Sequence, residues 1–169
     1  MASPAFALFL SVILIYMIMA GTFESYLQPF IIMFTLPLSV IGVSLALGIT
    51  QTPISVVVLI GMILLGGIVN NNGIILMDFL NQMVSEGMTP REAAMRAGSV
   101  RLRPILMTAL SSILGLLPLA LGLGEGAKLQ SPMAITVMGG LFVGTFLTLV
   151  VIPAIYLVTE DIRVKFRKK

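Results

Sequence analysis

The sequence predicts an all-α protein: a multi-spanning transmembrane helix bundle of five spans that takes up nearly all of its 169 residues. Three observations lead there. Hydrophobic residues make up 58% of the chain and charged residues only 10%. The mean hydropathy is +1.11, far from that of an ordinary soluble domain. Five apolar runs each approach or exceed the roughly 18 to 20 residues that cross a hydrocarbon core at about 1.5 Å per residue.

The first run spans about residues 4–21. It begins close to Met1, yet no basic segment precedes it and no small-x-small cleavage site follows, so it reads as a retained span rather than a signal peptide. A link from Thr22 to Gln28, charged only at Glu24, leads to the second run, about 29–49, which contains Pro37. A short turn, Thr50 to Thr52, precedes the third run at about 53–79. This run holds "NNN" at 70–72 and an aspartate, Asp78, inside otherwise oily sequence.

Between the third and fourth runs lies a polar loop, 82–103. Its stretch "MTPREAAMRAG" offers Thr89 as N-cap, Pro90 at the first helical position, Glu92 to complete a capping box and Gly98 as a stop. These signals predict a short helix over about 90–97. The fourth run, about 104–123, is predicted to start at Pro104, which takes the first turn without losing a needed hydrogen bond. The fifth, about 132–158, contains Pro153 and the spacing Gly140-xxx-Gly144, a weak motif for close helix approach. A basic tail, 159–169, completes the chain.

Charge orients the bundle. Arg91, Arg96, Arg101 and Arg103 precede the fourth span; Arg163, Lys165, Arg167, Lys168 and Lys169 follow the fifth; only Lys128 lies on the other side. The positive-inside rule assigns the loop and the tail to the cytoplasm, and with an odd number of spans the N-terminus lies outside. Such an insertion needs something upstream to direct it, so the chain is expected to be the tail of a longer protein. The basic tail serves as an orientation signal and also suits the anionic lipid of the bilayer surface.

The polar residues of the third run are the chemistry-bearing part. Gly67, Asn71, Ile74 and Asp78 recur at helical spacing and share a face, with Asn71 and Asp78 two turns apart. A carboxylate inside a span is costly, so Asp78 is read either as a proton-handling group or as a structural one near the interface, within reach of Arg101 or Arg103. Amides do not titrate, which favours Asn70, Asn71 and Asn72 as interhelical hydrogen-bonding groups over a proton site. Successive residues point about 100° apart, so the three cannot all meet one neighbour. Arg101 and Thr108 lie seven residues apart and share a face if one helix carries both. The twelve methionines share no face and read as packing rather than a soft-metal path.

The chain contains no cysteine and no histidine, which removes disulfides, thiolate metal sites and imidazole shuttles. No catalytic constellation or phosphate loop can be assembled, so an enzyme is not expected. Neither a metal nor nucleic acid is implied.

The stretches "GGIVNNNGIILMDFLNQ", "AGSVRLRPILMTALSSILGLLPLALGLGEG" and "SPMAITVMGGLFVGTFLTLVVIPAIYLV" resemble the end of resistance-nodulation-division (RND) efflux transporters of the hydrophobe/amphiphile branch. The resemblance covers nearly the whole chain and implies the last five of twelve spans, in the bacterial inner membrane. It implies proton-driven antiport of amphiphilic drugs, with the proton motive force as energy source and no cofactor. Its implied partners are the N-terminal half of the same transporter, a homotrimeric assembly, a periplasmic adaptor and an outer-membrane channel.

For coupling, the resemblance implies two aspartates on span four, a lysine on span ten, and an arginine and a threonine on span eleven. Arg101 and Thr108 match the last two; the lysine position falls on Asn71, a departure from the pattern. Asp78 matches an acidic position near the cytoplasmic end of span ten. Without the aspartates the isolated chain is expected not to transport. The competing readings are a small membrane scaffold or accessory protein and, less favoured, an oligomeric ion channel lined by Asn70 to Asn72.

Overall fold

The structure is a computed structural model and describes residues 3–24 and 26–167, the side chain of Arg167 apart. Met1, Ala2, Ser25 and two lysines of the basic tail, Lys168 and Lys169, lie outside the described residues.

Among the described residues six α-helices form in chain order, each with a local reason for its start or stop. Helix α1, Pro4–Phe23, opens with Ser3 Oγ accepting the Phe6 N–H and with a proline in its first turn, and closes at Glu24, whose φ is 48°. Helices α2, Leu27–Met33, and α3, Thr35–Thr50, meet at Phe34. Together they make one membrane-length unit. Pro37 explains the break: it has no N–H for the Met33 carbonyl, and its ring crowds that carbonyl. Beside the break the Thr35 hydroxyl donates to the Ile32 carbonyl at 2.6 Å.

Helix α4, Val56–Ser85, is capped by Ser55, and α5, Pro90–Ala120, by the capping box of Thr89 and Glu92. Gly122, Gly124 and Gly126 have φ of 69°, 115° and 77°, left-handed values that side-chain-bearing residues avoid, and they turn the chain into α6, Ala127–Arg167. Ser131 Oγ donates to the Ala120 carbonyl at 2.7 Å and ties the two helices at this hairpin. Among the described residues, five units are long and apolar enough to cross a membrane: α1, α2 with α3, α4, α5 and α6.

Two differences from the sequence-based expectations have physical reasons. The short helix over 90–97 and the span beginning at Pro104 are one helix, α5, which runs unbroken through Gly98 and Pro104. Ala93, Ala97, Arg101, Ile105 and Ala109 recur every four residues, and the alanines and Ile105 are buried, so one packed stripe holds the helix across both local breakers. Gly98 keeps an ordinary helical φ, and Pro104 leaves only the Val100 carbonyl without its usual partner. The third and fifth spans likewise continue beyond their apolar runs, to Ser85 and Arg167.

Helix α6 is the centre, packing against α3, α4 and α5. Gly61 lies against Met133 and Thr136, Leu65 against Gly140 and Val69 against Gly144, so α4 and α6 run parallel. Gly42 meets Gly139 and Val143 while Ser39 meets Gly144, so α3 runs antiparallel to both. Glycine makes this closeness possible, since a Cβ on Gly139 would collide with the Ala46 Cβ and one on Gly140 with the Leu65 side chain. Within their most apolar stretches only 6% of α1 and 11% of α5 is buried, against 39% of the other three units. Helices α1 and α5 therefore form the rim, and this chain leaves their outer faces uncovered.

Candidate functional site

The three asparagines are divided by the turn of α4. Asn70 and Asn72 are 2% and 3% exposed, whereas Asn71 between them lies on the uncovered face with Gly67 and Asp78. The division follows from 100° per residue: Asn70 falls in line with Gly66, Gly73 and Met77, and Asn72 with Leu65, Val69 and Leu76, all of them buried. Asn71 shares the outer face with Leu64, Ile75 and Asp78, which this chain does not cover.

Three atoms of the inward amides find no hydrogen-bond partner among the described residues. Both amide atoms of Asn70, and Nδ2 of Asn72, are buried without a partner. The hydroxyls of Thr145 and Thr148 on α6 share this condition. Because Val69 lies against Gly144 and α4 runs parallel to α6, these four side chains occupy the same two turns of the bundle. Thr35 and Ser39 of α3, both buried, lie at this depth as well, their hydroxyls returned to their own helix at Ile32 and Leu36. A polar layer thus crosses the middle of the bundle. Thr145 and Thr148 were absent from the sequence-based site, although their i, i+3 spacing next to Gly144 in an apolar span is a readable signal.

Helix α5 brings the remaining candidates. Its continuity puts Arg101 and Thr108 on one face, about 10.5 Å apart along the axis at 1.5 Å per residue. Arg101 is half-buried, and its guanidinium lies over the Phe79 ring of α4, Cζ 4.4 Å from the centroid. A stacked guanidinium of this kind contributes about 0.5–2 kcal/mol. Its Nε is buried and unpartnered. Asp78 is exposed and forms no ion pair with Arg101 or Arg103 among the described residues, so the aromatic ring beside it, not the carboxylate, holds the arginine. Thr108 is exposed and donates to the Pro104 carbonyl at 3.0 Å.

The arrangement therefore presents an exposed amide on α4, and a half-buried cation and an exposed hydroxyl on α5. Asn71 carries no charge to exchange.

Among the described residues, a bundle of five membrane-length helical units with a polar layer at mid-depth defines a multi-spanning integral membrane protein. The chain belongs to the AcrB/AcrD/AcrF family, the RND efflux transporters, whose model matches residues 1–160. It is 45% identical over 150 residues to the "Multidrug resistance protein MdtC" of Erwinia tasmaniensis, a match covering 88% of this chain and 15% of that protein. It is 41% identical over 156 residues to the MdtC protein of Salmonella paratyphi B, covering 92% of this chain and 15% of that one. The fold is similar to an X-ray crystal structure of a heavy metal efflux pump, with a TM-score of 0.79 and 36% identity over 89% of this chain and 14% of the pump. The chain thus spans about 15% of the length of the curated relatives it matches.

Proposed function

We propose that this chain forms spans eight to twelve of the membrane domain of a proton-driven RND exporter of amphiphilic compounds, and that it works with an N-terminal half that supplies two carboxylates. The observation that carries the reading is what the chain leaves uncovered: Asn71 on α4 and Thr108 on α5 are exposed and Arg101 is half-buried, while Asn70 and Asn72 turn inward. Arg101 and Thr108 match the family's coupling arginine and threonine. A guanidinium stays protonated, so on this reading it acts as a fixed counter-charge whose pull on neighbouring carboxylates favours their ionised form.

Asn71 stands where the family has lysine. A neutral amide gives the relay one positive charge fewer, so protonation of the partner carboxylates is felt by Arg101 alone, with Asn71 donating and accepting hydrogen bonds. The five helices alone then transport nothing. The charge distribution supports a cytoplasmic C-terminus and an N-terminus on the opposite face, and the family supports an inner-membrane trimer joined to a periplasmic adaptor and an outer-membrane channel.

The test is made in the complete transporter, with drug resistance in cells and proton flux in proteoliposomes read together. Asn71→Leu and Thr108→Val are expected to lower both, and Arg101→Ala to abolish both. Wild-type resistance and wild-type proton flux in Asn71→Leu would remove Asn71 from the relay.

A further inference from the structure

Far from the polar layer, a second polar feature lies where α2 begins and where α4 and α6 approach their ends. There a cleft of about 230 Å³ opens between the three helices, far larger than the about 15 Å³ that one ordered water needs. Gln28, Asn81, Tyr156, Glu160 and Arg163 supply its polar walls. Leu27, Ile31 and Val84 supply an apolar flank. Gln28 and Asn81 hold one wall rigid by a reciprocal amide pair, each donating to the other at 3.0 Å, which spans α2 and α4. The Thr159 hydroxyl is turned back to the Tyr156 carbonyl at 2.8 Å, which leaves the Tyr156 phenol as the hydroxyl available to a ligand.

Glu160 and Arg163 are three residues apart on α6, so both project to the same side. They form no ion pair with one another among the described residues. A carboxylate and a guanidinium that share a cleft without joining are complementary to a ligand bearing both charges. The cleft lies at the end of the bundle that carries the basic residues, and its apolar flank continues into the lipid-facing surface through Leu27, which is 51% exposed.

We infer that this cleft binds the headgroup of a zwitterionic aminophospholipid, phosphatidylethanolamine in chemical class, with the phosphodiester on Arg163 and the primary ammonium on Glu160. Arginine suits a phosphate through its planar fork of donors. The carboxylate distinguishes headgroups: a primary ammonium donates hydrogen bonds to it, a quaternary one cannot, and a glycerol headgroup brings no cation. The apolar flank receives the first methylenes of the acyl chains, which selects a lipid over a soluble phosphate. The inference is independent of antiport, and its readout below does not involve transport.

The experiment uses the natively encoded protein, purified, delipidated and offered equimolar phosphatidylethanolamine, phosphatidylglycerol and phosphatidylcholine in mixed micelles, with retained lipid read by native mass spectrometry. The expected result is a preference for phosphatidylethanolamine of about tenfold, the value of one charge-assisted hydrogen bond. E160Q abolishes that preference, and R163Q lowers retention of all three lipids. Both changes are close in size to the original and lie at positions that are not buried, so the fold is kept. Equal retention of the three lipids by the wild type, or a preference that survives E160Q, overturns the proposal. Soluble phosphoethanolamine at the same concentration is expected to displace nothing; full displacement of the lipid overturns the lipid assignment.

Discussion

Replacing Gly139 by alanine tests whether close backbone contact between α3 and α6 holds the bundle together. The new Cβ collides with the Ala46 Cβ and stands 2.9 Å from the Gly42 carbonyl oxygen. Neither obstacle is the end of a flexible side chain, so the helices themselves must separate. Carbon atoms rest at about 3.5–4.0 Å, and a gap of 0.5–1 Å forfeits about a quarter to a half of each contact along the seam. Overpacking typically costs about 1–3 kcal/mol, and alanine returns up to about 1 kcal/mol of helix propensity in water. We expect a net loss of about 2 kcal/mol. Gly115→Ala is the control, because nothing lies within 4 Å of its new Cβ, so the propensity gain stands alone. The assay is thermal unfolding in detergent followed by circular dichroism. Gly139→Ala unfolding at the same temperature as Gly115→Ala would refute the close-contact reasoning. Gly42→Ala probes the same seam from α3, and the double variant should lose less than the sum of the two.

Three further predictions concern polar groups. Thr89→Ala removes the side-chain half of the capping box and should cost about 1 kcal/mol locally, seen as faster hydrogen exchange at Glu92 and Ala93; unchanged exchange would show that the cap is idle. Asn81→Leu leaves the Gln28 amide without its reciprocal partner and should cost about 1–3 kcal/mol. Gln28→Leu in the same chain should restore most of that loss, and strictly additive losses would refute the pairing. Asn70→Leu removes two unpartnered buried atoms and should leave unfolding unchanged or shift it upward, whereas a loss above about 2 kcal/mol would reveal a hydrogen bond made by that amide.

The fold class was readable because membrane insertion is a matter of run length and hydropathy, which sequence carries directly. Helix continuity was less readable. Gly98 and Pro104 are honest local breakers, and what overrides them is the four-residue stripe from Ala93 to Ala109, whose worth depends on α4 and α6 being there to cover it. In the site, periodicity separates Asn70, Asn71 and Asn72 by about 100° but does not say which of them faces inward. That choice is made by Gly140 and Gly144, which admit Leu65 and Val69 of the Asn72 face. Likewise, proximity to Asp78 suggested an ion pair for Arg101, while the ring of Phe79 one residue later takes the guanidinium. The Gln28–Asn81 pair joins residues 53 apart, a separation that no helical period links.

The unbroken α5 has a mechanical meaning. A helix kinked at Gly98 would let the loop outside the membrane and the residues inside it move separately. As a single rod of 31 residues, about 46 Å long at 1.5 Å per residue, it instead obliges Arg101 and Thr108 to turn together through the same angle as the capped end at Thr89. A turn of the rod about its axis would swing both side chains through the same angle at once. The two ends of α5 therefore cannot turn independently.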